Sequence, residues 1–308
     1  MFCVKVSLAS TAQYSIKDFR PNAADILITS VLTSMVSDLG VVSPTSGALL
    51  TYHDGKKGTT HTIDGYFVSP RNFNGNDHQE HRISMTYGGH VETCKGANTF
   101  AIPGIYKVLD IIYRRYSSLP LETLFEFPIM LAKEGYKLTQ PSKDYLEHSL
   151  EPLYMWHPES KSTLRNISKN IEDGVVVLSK LADTYSHMSR DGFEDFYYGD
   201  ISKELISTVE AEGGHATEDD LMNYQIIEDN KFSTKIGSLN LTGHSGPSIG
   251  GLMVLKYLDA LSSYSENMMK LLQNVYIDRE NNYEFFGNRK DYISNEINRV
   301  TQSPSTIQ

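Results

Sequence analysis

The densest group of potential metal ligands lies at residues 77–81, which read Asp-His-Gln-Glu-His. The two histidines are three residues apart, and a zinc site needs further protein ligands on the same face. The polar stretch 71–82 is predicted to be an exposed loop, and no further ligand is indicated nearby. We therefore favour a hydrated loop and expect no metal site.

The sequence gives only weak signals for a cofactor. Gly250 and Gly251 precede a predicted helix, as glycines do in phosphate-binding loops, but the P-loop lysine and the dinucleotide glycine spacing are absent. Cys3 and Cys94 make neither a zinc site nor a disulfide framework. We expect no cofactor.

The helices that could position a functional site are predicted most clearly between residues 200 and 224. Apolar residues recur there at helical spacing, which predicts one buried helix face: Ile201, Leu205, Ile206 and Val209. The pair Gly213-Gly214 supplies the left-handed residue that ends such a helix. Thr217 and Asp220 predict a capping box at the start of the next helix, because each side chain can bond the other residue's backbone N–H.

Other helices and strands are interleaved along the chain. An apolar stripe predicts a helix over residues 22–39, and a second stripe predicts one over 105–116. Alternating residues predict a strand over 2–8. Strands at 47–53 and 58–64 are joined by Asp-Gly, a hairpin signal.

A proline interrupts one further helical pattern. The helix that begins near Leu121 should break or restart at Pro128, because proline lacks an N–H donor and clashes with the preceding turn.

Composition limits the function classes. The formal net charge of −10 argues against nucleic-acid binding, which needs an excess of lysine and arginine. No apolar run approaches the ~20 residues that cross a bilayer, so we expect no membrane partner. Residues 1–6 lack the regions of a secretory signal, which predicts a cytoplasmic protein. An exported chain that has already been trimmed remains the open alternative.

Several blocks occur in a fixed order along the chain. Residues 101–104 read Ala-Ile-Pro-Gly and lead to a Pro-Ile-Met-Leu-Ala stretch at 128–132. Residues 196–199 read Phe-Tyr-Tyr-Gly, and 217–224 read Thr-Glu-Asp-Asp-Leu-Met-Asn-Tyr. The later blocks are Gly-Pro-Ser-Ile-Gly-Gly at 246–251 and Tyr-Ile-Asp-Arg at 276–279. In type and order these blocks resemble the large subunit of the gamma-glutamyltransferases (gamma-glutamyltranspeptidases), as a divergent member.

The resemblance implies a fold of mixed helices and strands, α/β or α+β. It would be the αββα sandwich of the N-terminal nucleophile hydrolases. Residues 1–308 would contribute the large-subunit portion of one domain, jointly with a small subunit from the same precursor, and further oligomerisation stays open.

The resemblance also implies autoproteolytic processing. A threonine exposed at the start of the small subunit becomes the nucleophile, because its own free α-amine can take the hydroxyl proton. Residues 298–308 resemble the tail before that cut, so Gln308 is the predicted processing site. No catalytic residue is then expected in this chain.

One internal stretch imitates the cleavage point. Residues 58–61 read Gly-Thr-Thr-His, which would make Thr59 the nucleophile. The same residues form the outgoing strand of the predicted hairpin, where β-branched residues are favoured. We favour the strand.

Departures from the family pattern bear on the substrate. Alignment on Pro70 places Tyr66 where relatives have the arginine that grips the α-carboxylate of a γ-glutamyl group. A phenol cannot form the bidentate charged pair of a guanidinium. Arg71 could reach the pocket from another position. Tyr66 and Arg71 are therefore the predicted substrate-binding residues.

These expectations converge on the large subunit of an enzyme that hydrolyses or transfers an acyl group from an amide, through a threonine acyl-enzyme on its partner. The family setting is glutathione metabolism, and water is the favoured acceptor. Two alternatives stay open. One is a non-catalytic scaffold or binding protein that kept the fold, and the other is an acylase with a non-glutamyl substrate.

Overall fold

The computed structural model describes residues 7–73, 82–86, 91–236, 238–244, 250, 251, 254 and 258. Contacts between Cα atoms divide the chain into two compact units. Unit 1 comprises Met1–Ala48 and Phe67–Gln225, and unit 2 comprises Leu49–Tyr66 and Ile226–Gln308.

Unit 1 is mainly helical. Its longer helices are α1 (Ser7–Ser15), α2 (Ala23–Ser37), α3 (Ile105–Tyr116), α4 (Leu121–Glu134), α5 (Gln140–Ser149), α8 (Ser179–Asp191) and α10 (Asp200–Ala211). Its shorter helices are α6 (Pro158–Thr163), α7 (Arg165–Lys169), α9 (Asp195–Tyr198) and α11 (Glu218–Met222). Two small antiparallel ladders join β3 (Arg82–Met85) to β4 (Val91–Cys94) and β5 (Tyr136–Lys137) to β6 (Val175–Val176).

The core of unit 1 lies where α2, α4 and α8 pack together. Ile28 and Leu32 of α2 are fully buried, as is Phe125 of α4. The Phe125 ring meets the buried Tyr185 of α8 edge-on, with ring centroids 5.3 Å apart. Side chains from the three helices thus form a continuous apolar core. Burial of this apolar surface is the main favourable contribution to the free energy of folding.

The predicted break at Pro128 is wrong. Helix α4 runs from Leu121 to Glu134 through this proline, whose side chain is buried. Proline removes one backbone hydrogen bond, but the apolar faces on either side of it pack against α2 and α8. Tertiary packing therefore outweighs the local preference.

A buried carboxylate anchors the start of α2. Asp25 accepts a bond from the N–H of Asn22 at 2.8 Å, which closes a capping box. It also accepts bonds from the hydroxyls of Ser117 and Ser118 and from the N–H of Leu119. Burial raises the pKa of Asp25, but these hydrogen bonds outweigh burial and hold the pKa below its usual value. The linker between α3 and α4 is thereby fixed to α2.

Other local predictions for unit 1 have mixed outcomes. The predicted helices over 22–39 and 105–116 are confirmed as α2 and α3. The strand predicted over 2–8 is wrong at its end, because Ser7 and Leu8 begin helix α1, and the rest of it lies outside the described residues. Of the predicted loop 71–82, residues 71–73 lie outside any helix or strand, and Arg82 begins β3. Residues 74–81 are not described.

Unit 2 contains two antiparallel sheets. The first has the order β1 (Ala48–Asp54), β2 (Thr59–Gly65), β7 (Ile227–Glu228). The second pairs β8 (Lys231–Ile236) with β9 (Leu239–His244). The predicted hairpin is confirmed, with the Asp54 carboxylate accepting bonds from the N–H groups of Lys56 and Lys57 in the turn. Thr59 is therefore a strand residue, as expected.

No helix in the described part of the chain has the length and apolarity needed to cross a membrane.

Candidate functional site

The candidate site in unit 1 is built around residues 67–71, which follow Tyr66. Val68 pairs with Ile102: the Val68 N–H donates to the Ile102 carbonyl at 3.1 Å, and the Ile102 N–H donates back at 2.8 Å. This bridge fixes the backbone just before Pro70, which is itself buried. The 101–104 block therefore acts as a support for the predicted substrate-binding segment.

Asp220 holds the other end of this segment. Its Oδ1 accepts a bond from the backbone N–H of Arg71 at 3.2 Å. Its Oδ2 accepts bonds from the N–H and the hydroxyl of Thr217, at 3.0 Å and 2.8 Å. The capping box predicted for α11 is confirmed. One buried carboxylate thus starts a helix and fixes the position of Arg71.

Tyr197 links the supporting blocks to each other. Its hydroxyl donates to the Pro103 carbonyl at 2.9 Å and accepts from the Lys107 N–H at 3.3 Å. Its ring stacks on that of Tyr224, with centroids 6.1 Å apart and planes 15° apart. Burial raises the pKa of Tyr197 well above its usual value, so the hydroxyl remains a donor.

These contacts bring three separated blocks together around residues 67–71. The 101–104 block pairs with Val68, the 196–199 block holds Pro103, and the 217–224 block holds Arg71 and stacks on Tyr197. The spacing of residues predicted the cap at Thr217 but missed the bond from Asp220 to Arg71. No local signal could have found that bond, because its partners are 149 residues apart.

The Arg71 side chain extends from this support into solvent. It is 68% exposed, and its Nε lies 4.0 Å from Asp220 Oδ1, the outer limit of an ion pair. Among the described residues, no other ion pair of Arg71 is recorded. Its terminal amino groups are therefore able to form a forked pair with an incoming carboxylate.

Tyr66 belongs to unit 2, at the end of β2. Its backbone N–H donates to Asp64 Oδ1 at 2.9 Å, which fixes the turn after Gly65, and its side chain is half-buried. Asp64 is buried, and its negative charge acts on the His244 ring. Burial lowers the pKa of His244, more than the Asp64 charge raises it, so this ring is neutral near pH 7.

The remaining sequence predictions have no described geometry. Gln308 lies outside the described residues, as do residues 77–81. Within the part of the chain that the structure describes, no group of three or more His, Cys, Asp or Glu side chains could hold a metal ion.

A family model and individual relatives were compared with this sequence, and both indicate the same family. Residues 14–300 match the family model described as gamma-glutamyltranspeptidase. Glutathione hydrolase 2 of Arabidopsis thaliana is 28% identical over 251 residues, which covers 79% of this chain and 40% of that protein. Scoloptoxin SSD14 of Scolopendra dehaani is 27% identical over 253 residues, covering 77% of this chain and 41% of that protein. The chain thus spans about two fifths of the length of these curated relatives.

A solved structure extends the likeness to the fold. The gamma-glutamyltranspeptidase of Helicobacter pylori superposes with a TM-score of 0.76 at 18% identity, covering 99% of this chain and 93% of that chain. The fold class is therefore that of the N-terminal nucleophile hydrolases, with mixed helices and strands, as predicted.

Proposed function

The chain belongs to the gamma-glutamyltranspeptidase family, and on that premise we propose that it is the large-subunit framework of an enzyme that transfers or hydrolyses an acyl group taken from an amide. The observation that carries the proposal is the support around residues 67–71, to which three of the family-like blocks contribute. Family membership over residues 14–300 supports the reaction class.

The proposed chemistry uses a threonine at the start of a partner small subunit, and Gln308 as the residue before the processing cut. The threonine hydroxyl attacks the amide carbonyl while its proton passes to the threonine α-amine. The C–N bond then breaks, and the leaving amine takes that proton. Water next attacks the resulting ester, its proton goes to the same α-amine, and the acid is released as the threonine hydroxyl is restored.

The role of this chain in that reaction is recognition. We propose that Arg71 binds a carboxylate on the acyl group, because its guanidinium is exposed while its backbone is fixed by Asp220. Tyr66 would contribute one hydrogen bond where relatives have an arginine. A phenol in place of a guanidinium weakens the recognition of the α-carboxylate of a γ-glutamyl group.

A substrate screen of the complete gene product tests the proposal. The panel should contain glutathione, a γ-glutamyl anilide, and anilides of glutaric acid and of an acyl group without a carboxylate. We expect hydrolysis of at least one amide, and water as the acceptor when no amine is added. A complete absence of amide cleavage across the panel would overturn the proposed enzyme.

Two variants distinguish carboxylate binding by Arg71 from a general effect of removing one positive charge. Because a hydrogen-bonded pair with a charged group contributes about 1.5–3 kcal/mol, Arg71→Gln should raise KM for a carboxylate-bearing substrate roughly tenfold or more. It should leave KM for the uncharged acyl anilide unchanged. The matched control is Arg165→Gln, which removes another exposed arginine. Equal effects of the two variants, or equal effects on both substrates, would remove Arg71 from the proposal.

The variant Tyr66→Arg restores the residue type that relatives have. If this position meets the γ-glutamyl carboxylate, kcat/KM for the γ-glutamyl anilide should rise relative to that for the uncharged acyl anilide. An enzyme that prefers the uncharged acyl group, before and after this change, would favour the acylase alternative.

A further inference from the structure

A concave region of unit 1 adjoins the segment 67–71 and carries aromatic and acidic side chains that the proposed reaction does not use. It is a pocket of about 740 Å³, within the range of roughly 300–1,000 Å³ typical of small-molecule sites. Its walls come from Thr45, Phe67, the turn at 96–101, residues 156–160 before and within α6, and residues 208–212 at the end of α10. All of these segments belong to unit 1.

Exposed aromatic rings line this pocket. Trp156 is 38% exposed and Phe67 is 44% exposed, although rings of this size are usually more completely buried. Phe100 and Val209 add further apolar surface. The Trp156 Nε1–H already donates to the Leu153 carbonyl at 2.9 Å, so the indole is held in place. A rigid aromatic surface in a concave site suits a flat apolar group.

One carboxylate gives the pocket a polar end. Glu212 lines the pocket, is about half exposed, and has its Oε1 3.7 Å from His157 Nε2. His157 Nδ1 accepts a bond from the Glu159 N–H at 3.3 Å, where it caps α6. A neutral His157 must then carry its proton on Nε2, facing Glu212. Within the described residues no other ion pair reaches this carboxylate, so it can accept a bond from a cation.

A cation already lies near one of these rings. The Lys95 ammonium is 6.0 Å from the centroid of the Trp156 ring, at the outer limit of a cation–π contact. Lys95 does not line the pocket. Among the described residues that line the pocket, Glu212 carries the one carboxylate and none is a lysine or arginine, in a chain whose net charge is −10.

From this arrangement we propose that the pocket binds a small arylalkyl ammonium ion. Its ring packs against Trp156 and Phe67, and its ammonium group donates to Glu212. The site would recognise the ligand by its ring shape and its positive charge, and binding involves no chemical reaction. It does not depend on the proposed amide reaction, so a failure of either proposal leaves the other standing.

Binding of 2-phenylethylamine to the complete gene product, measured by isothermal titration calorimetry, tests this site. Two matched ligands keep the ring and change the end group: 2-phenylethanol is neutral, and 3-phenylpropionate is negative. We expect the amine to bind roughly tenfold more tightly than either, because only the ammonium group donates a charge-assisted hydrogen bond to Glu212. This comparison requires no variant to fold.

Variants locate the site. Glu212→Gln should reduce the affinity for the amine to that for the alcohol. Glu210→Gln changes an exposed glutamate of α10 that does not line the pocket, and it should leave the affinity unchanged. Trp156 is the one tryptophan of the chain. Amine binding should change tryptophan emission in the parent protein, and this change should be smaller in Trp156→Phe, whatever tryptophans the rest of the gene product carries.

The proposal is overturned by any of three results. The first is no detectable amine binding, and the second is equal affinity for the three ligands. The third is equal affinity of the Glu212→Gln and Glu210→Gln variants for the amine.

Discussion

The bond between Asp220 and the backbone of Arg71 can be tested apart from the helix cap that Asp220 also forms. Asp220→Asn keeps the shape of the side chain but leaves one acceptor oxygen in place of two. If that oxygen keeps the two bonds from Thr217, the new amide NH2 faces the Arg71 N–H, donor against donor. In the opposite orientation the amide oxygen would accept from Arg71, and both bonds from Thr217 would be lost. We therefore expect the orientation that loses only the bond from Arg71.

The magnitude follows from these contacts. Asp220 is buried, with a side chain that is 4% exposed, so its bonds are little screened by water. Loss of one hydrogen bond to a charged acceptor predicts a decrease of about 2–3 kcal/mol in the free energy of unfolding. Thr217→Ala removes the cap hydroxyl and keeps the Arg71 bond, which predicts a decrease of about 1 kcal/mol.

Urea denaturation measures both stabilities, and hydrogen exchange of the backbone locates the effect. In Asp220→Asn, amides in the peptide covering 67–73 should exchange faster than in the parent protein. In Thr217→Ala, faster exchange should be confined to the start of α11. Equal losses of stability in the two variants, together with unchanged exchange at 67–73 in Asp220→Asn, would show that the Asp220 bond does not hold Arg71 in place.

Three further predictions concern the framework. The pKa of Asp25 is lowered in the folded state, so its stabilisation is present above the unfolded pKa of about 3.9 and is lost as pH falls through the folded value. Asp25→Asn should therefore destabilise the protein more at pH 7 than at about pH 2, measured as urea midpoints across that range. Gly40→Ala should lower the free energy of unfolding by about 1–3 kcal/mol. Gly40 has a φ of +86°, and a Cβ there would lie 2.7 Å from the Tyr145 ring. Gly55→Ala, with nothing within 4 Å, is its control, and thermal melting compares the two. Tyr197→Phe removes the bond to the Pro103 carbonyl and the bond from the Lys107 N–H, so the free energy of unfolding should fall by about 1–3 kcal/mol in urea denaturation, and no change in stability would contradict that role.

Local features of the fold could be predicted from the sequence because their causes are local. The capping box at Thr217 joins residues three apart, and the left-handed Gly213 has a φ of +82° where the helix pattern ends. The hairpin turn at Asp54 depends on bonds to the next few residues. Such contacts follow from spacing and side-chain chemistry alone.

The support of the candidate site could not be predicted in this way. The pairing of Val68 with Ile102 and the bond from Asp220 to Arg71 join distant parts of the chain. Hydrophobic periodicity reports which face is buried and not which element covers it. Pro128 shows the converse, because a sound local rule failed where α4 packs against two other helices.

We propose that this chain frames an amide-cleaving site whose nucleophile is a threonine on a partner polypeptide. The decisive experiment is mass mapping of the complete gene product, quenched during turnover of the amide that it cleaves fastest. We expect one polypeptide that ends at Gln308 and a second that begins with threonine and carries the mass of the acyl group. A single uncut polypeptide that cleaves the amide without an acyl adduct on threonine would contradict it.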